Sequence, residues 1–115
     1  MRSGWVLFSW FLVGSALAAS PRNASRSELA TIREAMRLQH ENVDGARFEG
    51  VRFGNDGRTV CGSVSFPDAQ GGYAPASPFL AMYFKPEKRG DKPSAFVFGL
   101  SDPAIIQERC AEKGL

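Results

Sequence analysis

A helical spacing of apolar positions follows the first twenty-five residues of the chain. Five side chains fall three or four residues apart and form one stripe: Leu29, Ile32, Met36, His40 and Val43. This spacing predicts an amphipathic helix over residues 26–41. Ser25 and Glu28 stand three residues apart, as a capping box requires, so we expect the helix to begin directly after Ser25.

Two segments in the middle of the chain have the shorter period of a β-strand. Residues 46–53 and 58–66 flank the run Gly54-Asn55-Asp56-Gly57, whose residue types tolerate the positive φ of a hairpin turn. In the second segment, Val60 and Val64 alternate with small or polar positions that include Cys61. The pattern predicts a hairpin with one apolar face and one small, polar face.

Two later segments, residues 79–84 and 95–100, are apolar or glycine at every position. Because neighbouring side chains of a strand point to opposite faces, strands of this kind need cover on both faces. One face would receive the first helix. The other would be covered by a second helix, by the loop around Gly71 folding over, or by another protein molecule.

The end of the chain carries the signals of a final helix. Asp102 can cap it and Pro103 suits its first turn, while Gly114 is placed to end it after about Lys113. We therefore predict an α+β fold with an N-terminal helix, a four-stranded, mostly antiparallel sheet and a C-terminal helix. Residues 26–115 would form this single domain, and residues 20–25 a disordered leader.

Residues 1–19 have the composition of a secretory signal peptide. A positive start at Arg2 precedes the apolar run 5–13, and small residues lead to Ala16-Leu17-Ala18. We expect cleavage after Ala18 or Ala19 and export to the periplasm or the medium. The alternative is a permanent anchor. It is disfavoured because a spanning helix needs about 20 apolar residues, more than the apolar run 5–13 supplies. No stable membrane anchor is expected after cleavage.

Charge and cysteine content narrow the functional classes. Without Arg2 the chain has thirteen basic and twelve acidic residues, a balance that argues against nucleic acid as a partner. Cys61 and Cys110 are the two cysteines. In an exported domain such a pair most simply forms one disulfide, which for a loop of this length contributes roughly 4 kcal/mol in the chain-entropy model. A reactive thiol is the alternative.

One stretch resembles a known group of proteins. The motifs are Ala46-Arg47-Phe48, Val60-Cys61-Gly62 and Gly71-Gly72-Tyr73, followed by Phe79. Together they resemble a group of small exported bacterial proteins of unknown function, which also share a cysteine in the final helix. The chain departs from that pattern at residues 42–45 and 65–67. The resemblance implies export but no activity.

The candidate binding loop is Gly71-Gly72-Tyr73, because two glycines allow close backbone approach and leave a tyrosine as an anchor. Alternatively, the glycines form a tight reversal and Tyr73 packs over the sheet. The charged loop 85–93 would either touch anionic lipid or acidic glycans or be a solvated hairpin tip. No catalytic constellation, metal site or cofactor motif is visible; His40 is the single histidine.

We expect a non-enzymatic envelope or secreted protein that binds another macromolecule. The partner would be another envelope protein or a second copy held through the apolar strands. The alternatives are a small periplasmic enzyme, a hydrolase or a thiol enzyme that uses His40 with Cys61 or a carboxylate, and a small-ligand carrier. Glu49, Asp56 and Asp68 have no spacing that places two carboxylates at a fixed short separation.

Overall fold

The structure is a computed structural model that describes residues 21–98 and 102–115. The predicted signal peptide, its cleavage site and the end of the predicted strand 95–100 lie outside the described residues. The elements in chain order are β1 (Arg22–Asn23), α1 (Arg26–Met36), β2 (Arg47–Phe53), β3 (Thr59–Ser65), β4 (Ser77–Phe84), β5 (Ser94–Val97) and α2 (Pro103–Glu112).

The described strands form one antiparallel sheet in the order β1-β2-β3-β4-β5. Each strand pairs with its neighbour in the chain, so the connections are local. The predicted α+β class is confirmed. The predicted count of four strands is wrong, since the sheet has five.

The additional strand is β1, in the segment predicted to be a disordered leader. Arg22 and Asn23 pair with the end of β2, and the guanidinium of Arg22 lies 4.3 Å from the ring centroid of Phe53. Arg22 also forms an ion pair with Glu28 at 2.8 Å. The strand therefore precedes the first helix. Backbone pairing and this ion pair stabilise the strand. Because a two-residue polar strand has no hydrophobic alternation, the sequence pattern did not predict it.

Helix α1 begins as predicted and ends earlier than predicted. The Ser25 hydroxyl accepts from the Glu28 N–H, and a Glu28 carboxylate oxygen accepts from the Ser25 N–H, which completes the capping box. The helix ends at Met36 rather than near residue 41. Val43 is still buried, as the stripe predicted, but it reaches the core from a turn.

The main core lies between α1 and the face of the sheet that we call the inner face. Ile32 and Met36 of α1 are fully buried there. The sheet contributes the alternate residues of its strands, with pairs of aromatic rings in edge-to-face contact, among them Phe48 with Phe79 and Phe53 with Tyr83. One face of the apolar strands is thus covered by a helix, as the sequence indicated.

The opposite, outer face receives α2. The Asp102 carboxylate caps this helix by accepting from the N–H groups of Ala104 and Ile105. Cys110 of α2 is disulfide-bonded to Cys61 of β3, with 6.2 Å between their Cα atoms. Ile106 and Cys110 are buried against Cys61, with Leu80 partly buried beside them. The bond therefore joins the final helix to the small, polar face of β3.

Across residues 21–98 and 102–115, the structure has no helix with the length and apolar character needed to cross a membrane.

Candidate functional site

The outer face of β4 and β5 carries two rows of apolar side chains. Met82 lies opposite Phe96 in the antiparallel register, and Phe84 lies opposite Ser94. Beyond the paired residues of β5, the Phe98 N–H donates to the Leu80 carbonyl oxygen at 2.9 Å, which continues the rows. Directly opposed side chains of antiparallel strands are neighbours, and diagonal ones remain within reach of aromatic rings. Met82, Phe96 and Phe98 therefore form one patch, and Phe84, which lies opposite Ser94, is diagonal to Phe96 at its end.

This patch remains open to solvent. Phe84, Phe96, Phe98 and the nearby Ile105 of α2 are between 42% and 55% exposed. The rings of Phe96 and Phe98 contact each other edge to face, with centroids 5.0 Å apart. We call Met82, Phe84, Phe96, Phe98 and Ile105 the outer apolar surface. Isolated exposed apolar residues are ordinary, whereas contiguous exposed apolar groups are a feature of many interaction sites.

Helix α2 leaves the surface open because of where it lies. It packs over Cys61 and Leu80 and does not cover the outward side chains near the end of β4. Between α2 and the sheet runs a groove of about 490 Å³. Its apolar walls are Leu80, Met82, Phe98, Ile105 and Ile106, and charged residues of α2, including Arg109, stand at its rim.

The loop between β4 and β5 adds positive charge at the end of this surface. We call residues 85–93 the hairpin tip. It carries four cations and two carboxylates, all exposed: Lys85, Lys88, Arg89 and Lys92 with Glu87 and Asp91. None of the four cations forms an ion pair with another residue of the described chain. The tip turns at Gly90, whose φ is 93°.

The predicted binding loop Gly71-Gly72-Tyr73 lies at the opposite end of the strands. A carboxylate oxygen of Asp68 accepts from the Gly72 N–H at 2.8 Å, and Gly71 has φ 85°, so the glycines form a tight turn. The Tyr73 hydroxyl donates to the Gly45 carbonyl oxygen at 3.0 Å. The Arg47 guanidinium lies 4.0 Å from the ring centroid of Tyr73. Tyr73 is 38% exposed, so part of its ring remains accessible.

The residues of the enzymatic alternative are not brought together. His40 stacks on Phe66, with ring centroids 4.3 Å apart, and Phe66 packs against the inner core. Cys61 is on the outer face and is held in the disulfide. Within the described ranges, no group of three His, Cys, Asp or Glu side chains is arranged to hold a metal ion.

The three carboxylates considered in the sequence occupy separate places. Glu49 lies in β2 and Asp68 organises the turn at Gly72. Asp56 accepts hydrogen bonds in the β2–β3 turn from the N–H groups of Arg58 and Thr59 and from the Thr59 hydroxyl. Partial burial alone would raise the pKa of Asp56, but the Thr59 and Arg58 hydrogen bonds and the nearby Lys113 lower it to about 2. Asp56 therefore serves the turn as an anion at neutral pH.

The sequence indicated that the apolar strands need a second cover but did not identify which residues stay open. That outcome depends on the position of α2 over Cys61 and Leu80, which alternation within a strand does not encode. Ile105 was missed for the same reason, since its exposure depends on the position of α2 beside the groove.

No protein-family model, curated protein or solved structure matches this chain.

Proposed function

We propose that this chain is an exported, non-enzymatic binding protein whose binding site is the outer apolar surface. The observation that carries the proposal is the exposure of Phe84, Phe96 and Phe98 in one contiguous patch beside an apolar groove. Three further features support export: the signal-like composition of residues 1–19, the Cys61–Cys110 disulfide and the resemblance to exported proteins.

The energetics of exposed phenylalanines favour binding at this surface. Burying a phenylalanine side chain contributes roughly 1.5–3 kcal/mol. Covering the three half-exposed rings with a partner would therefore add a favourable hydrophobic free energy of binding. The inner face shows what the same strands do when covered, since Phe79 and Val97 are almost completely inaccessible there. A partner on the outer face would complete the cover that both strands require.

The first experiment measures binding of the processed, oxidised protein to the envelope fraction of its host by co-sedimentation. The variant Phe96→Ser removes the most exposed ring of the surface. Its matched control is Leu38→Ser, because Leu38 is 88% exposed and lies on the α1 side of the sheet. We expect Phe96→Ser to weaken binding about tenfold, as the loss of one buried aromatic side chain predicts, and Leu38→Ser to leave it unchanged.

Light scattering of the purified protein accompanies this measurement, because a second copy is also a partner. The proposal is wrong if the protein is a monomer at all concentrations and also shows no binding that depends on Phe96. It is likewise wrong if Leu38→Ser weakens binding as much as Phe96→Ser does.

The groove between α2 and the sheet favours a second candidate function, the carriage of a small apolar ligand. Its volume of about 490 Å³ lies within the usual size range of ligand sites. Its rim carries both signs of charge, with Arg109 and Lys113 beside Asp102 and Glu112, so the apolar walls would supply the binding. Displacement of a fluorescent fatty acid, compared between the native chain and Ile105→Ser, tests this function; native displacement that Ile105→Ser abolishes would support it.

A further inference from the structure

We infer that the partner of the outer apolar surface is an anionic lipid bilayer. This inference rests on the proposed function and names its partner class. It combines the exposed phenylalanines with the positive hairpin tip, two features that lie next to each other in the chain and in space. Binding to a membrane surface grows with the buried apolar area and with the electrostatic attraction to anionic lipids, so these two signals reinforce each other.

The two signals meet at the end of β4. Phe84 is the last residue of that strand and Lys85 the first residue of the hairpin tip, and both border a depression whose other charged residues are Arg58, Asp56 and Glu87. Phe84 and Phe96 would enter the interfacial layer while the cations of the tip reach the head groups. The tip has a net charge of +2 from four cations and two carboxylates, whereas the whole processed chain, with thirteen basic and twelve acidic residues, has a net charge of only +1. Its charge therefore concentrates where the rings are exposed.

The residue types favour lipid over a protein partner. Aromatic residues, phenylalanine included, occur at protein interfaces as well as at membranes, but lysine is depleted at protein interfaces. Three of the four cations of the hairpin tip are lysines. Lysine clusters beside exposed apolar groups are typical of attachment to anionic lipid.

The electrostatic part sets the expected behaviour. Attraction between the tip and an anionic surface falls off within a Debye length, so added salt should release the protein. Neutral lipid should bind it weakly, because the apolar signal acts alone there. Because the exposed phenylalanines and the charged tip are each weak membrane-binding signals, we expect a fast, reversible association rather than permanent insertion.

The test is co-sedimentation of the processed, oxidised protein with vesicles. One set contains equal parts of phosphatidylglycerol and phosphatidylcholine, and the other contains phosphatidylcholine alone. Phe96→Ser removes an apolar contact, and Arg89→Glu reverses a charge of the tip. The matched controls are Tyr73→Ser, an exposed aromatic residue at the other end of the strands, and Arg26→Glu, an equal charge change in the first turn of α1.

We expect binding to the anionic vesicles, weak binding to the neutral ones and release by salt. Phe96→Ser and Arg89→Glu should each weaken binding about tenfold, from the lost burial of one ring and from the reversal of one charge near the surface. Tyr73→Ser and Arg26→Glu should bind like the native protein. Circular dichroism of each variant verifies that it is folded.

Three results would overturn the inference: no binding to anionic vesicles, binding that is equal for both lipid compositions and insensitive to salt, or equal losses in the controls. The proposed function fails separately. If vesicles do not bind but Phe96→Ser abolishes a dimer or the binding of an envelope protein, the surface is a binding site with a different partner. If no measured binding depends on Phe96, both proposals are wrong.

Discussion

The side-chain amide of Gln39 donates a hydrogen bond to the carbonyl oxygen of Val97 at 2.7 Å. Val97 lies in β5, the last strand of the sheet in the described chain. The N–H of the neighbouring Phe98 donates to the carbonyl oxygen of Leu80 in β4. Because successive residues of an antiparallel strand point their backbone groups alternately toward and away from the partner strand, those of Val97 point away from β4. Gln39 therefore occupies part of the open edge, where an unpaired strand would otherwise recruit another chain.

Replacing Gln39 with alanine should expose this edge. We expect Gln39→Ala to lower the free energy of unfolding by about 1 kcal/mol, the usual net contribution of one hydrogen bond. We also expect self-association at concentrations where the native protein is monomeric, because the Val97 carbonyl becomes available for strand pairing. Denaturant unfolding and light scattering measure the two effects. The exposed Gln70 gives a control, since Gln70→Ala should alter neither; unchanged association in Gln39→Ala would contradict an edge-protecting role.

The Cys61–Cys110 disulfide should hold α2 on the sheet. Ile106 and Cys110 are the two buried residues of that helix, so noncovalent packing alone attaches it weakly. The bond spans a sequence separation of 49 residues, and its loss should lower the free energy of unfolding by about 2–4 kcal/mol. In the double variant Cys61→Ala/Cys110→Ala, amide exchange of α2 should rise while the α1 amides stay protected. Uniform protection of both helices in the variant would show that packing alone secures α2.

Local rules predicted most of the secondary structure because its signals lie within a few residues of one another. The capping box of Ser25 and Glu28 and the cap at Asp102 are confirmed, and the hairpin turn lies at 54–57 as expected. The helix end was predicted less well. Helical spacing continues to Val43, but the helix ends at Met36, and the residues that follow it bond to residues outside the helix, Arg37 to Asp44 and Gln39 to Val97.

The sequence predicted only that the outer face of the sheet needs a cover, not which of its residues stay exposed. Apolar residues at every position of β4 indicated that its second face needs cover, yet the exposure of Phe84 and Phe96 depends on the position of α2. That position follows from one covalent bond and from contacts between residues far apart in sequence, such as the Asn55 N–H with the Lys113 carbonyl oxygen at 2.9 Å. Periodicity within one element carries no information about such contacts.

Gly62 should resist substitution because β3 packs closely against its neighbours at that residue. A Cβ atom there would lie 2.8 Å from Cγ2 and 3.0 Å from Cα of Val51, and 3.2 Å from Cε2 of Phe79. The backbone of Val51 cannot shift away from a new Cβ atom as the end of a flexible side chain could. Gly62→Ala should therefore lower the free energy of unfolding by about 1–3 kcal/mol. The next residue provides the control, since Ser63→Ala should change it by less than about 0.5 kcal/mol. Equal unfolding midpoints of Gly62→Ala and native protein would refute this close packing.

Acid should destabilise the fold through two carboxylates. The hydrogen bond from Arg22 lowers the pKa of Glu28 to about 2, and the turn hydrogen bonds, against the opposing effect of burial, leave the pKa of Asp56 at about 2. Unfolded carboxylates titrate near pH 4, so the folded chain binds fewer protons between about pH 5 and pH 2.

The stabilisation from these two groups is therefore complete above about pH 5 and is lost as the pH falls toward 2. Denaturant unfolding measured at a series of pH values should show this loss. In the double variant Glu28→Gln/Asp56→Asn the chain should be less stable at pH 7, because the ion pair and the anionic turn acceptor are gone. Its stability should also fall less steeply in acid, so the two curves converge near pH 2. Parallel curves over this range would mean that other groups govern acid unfolding.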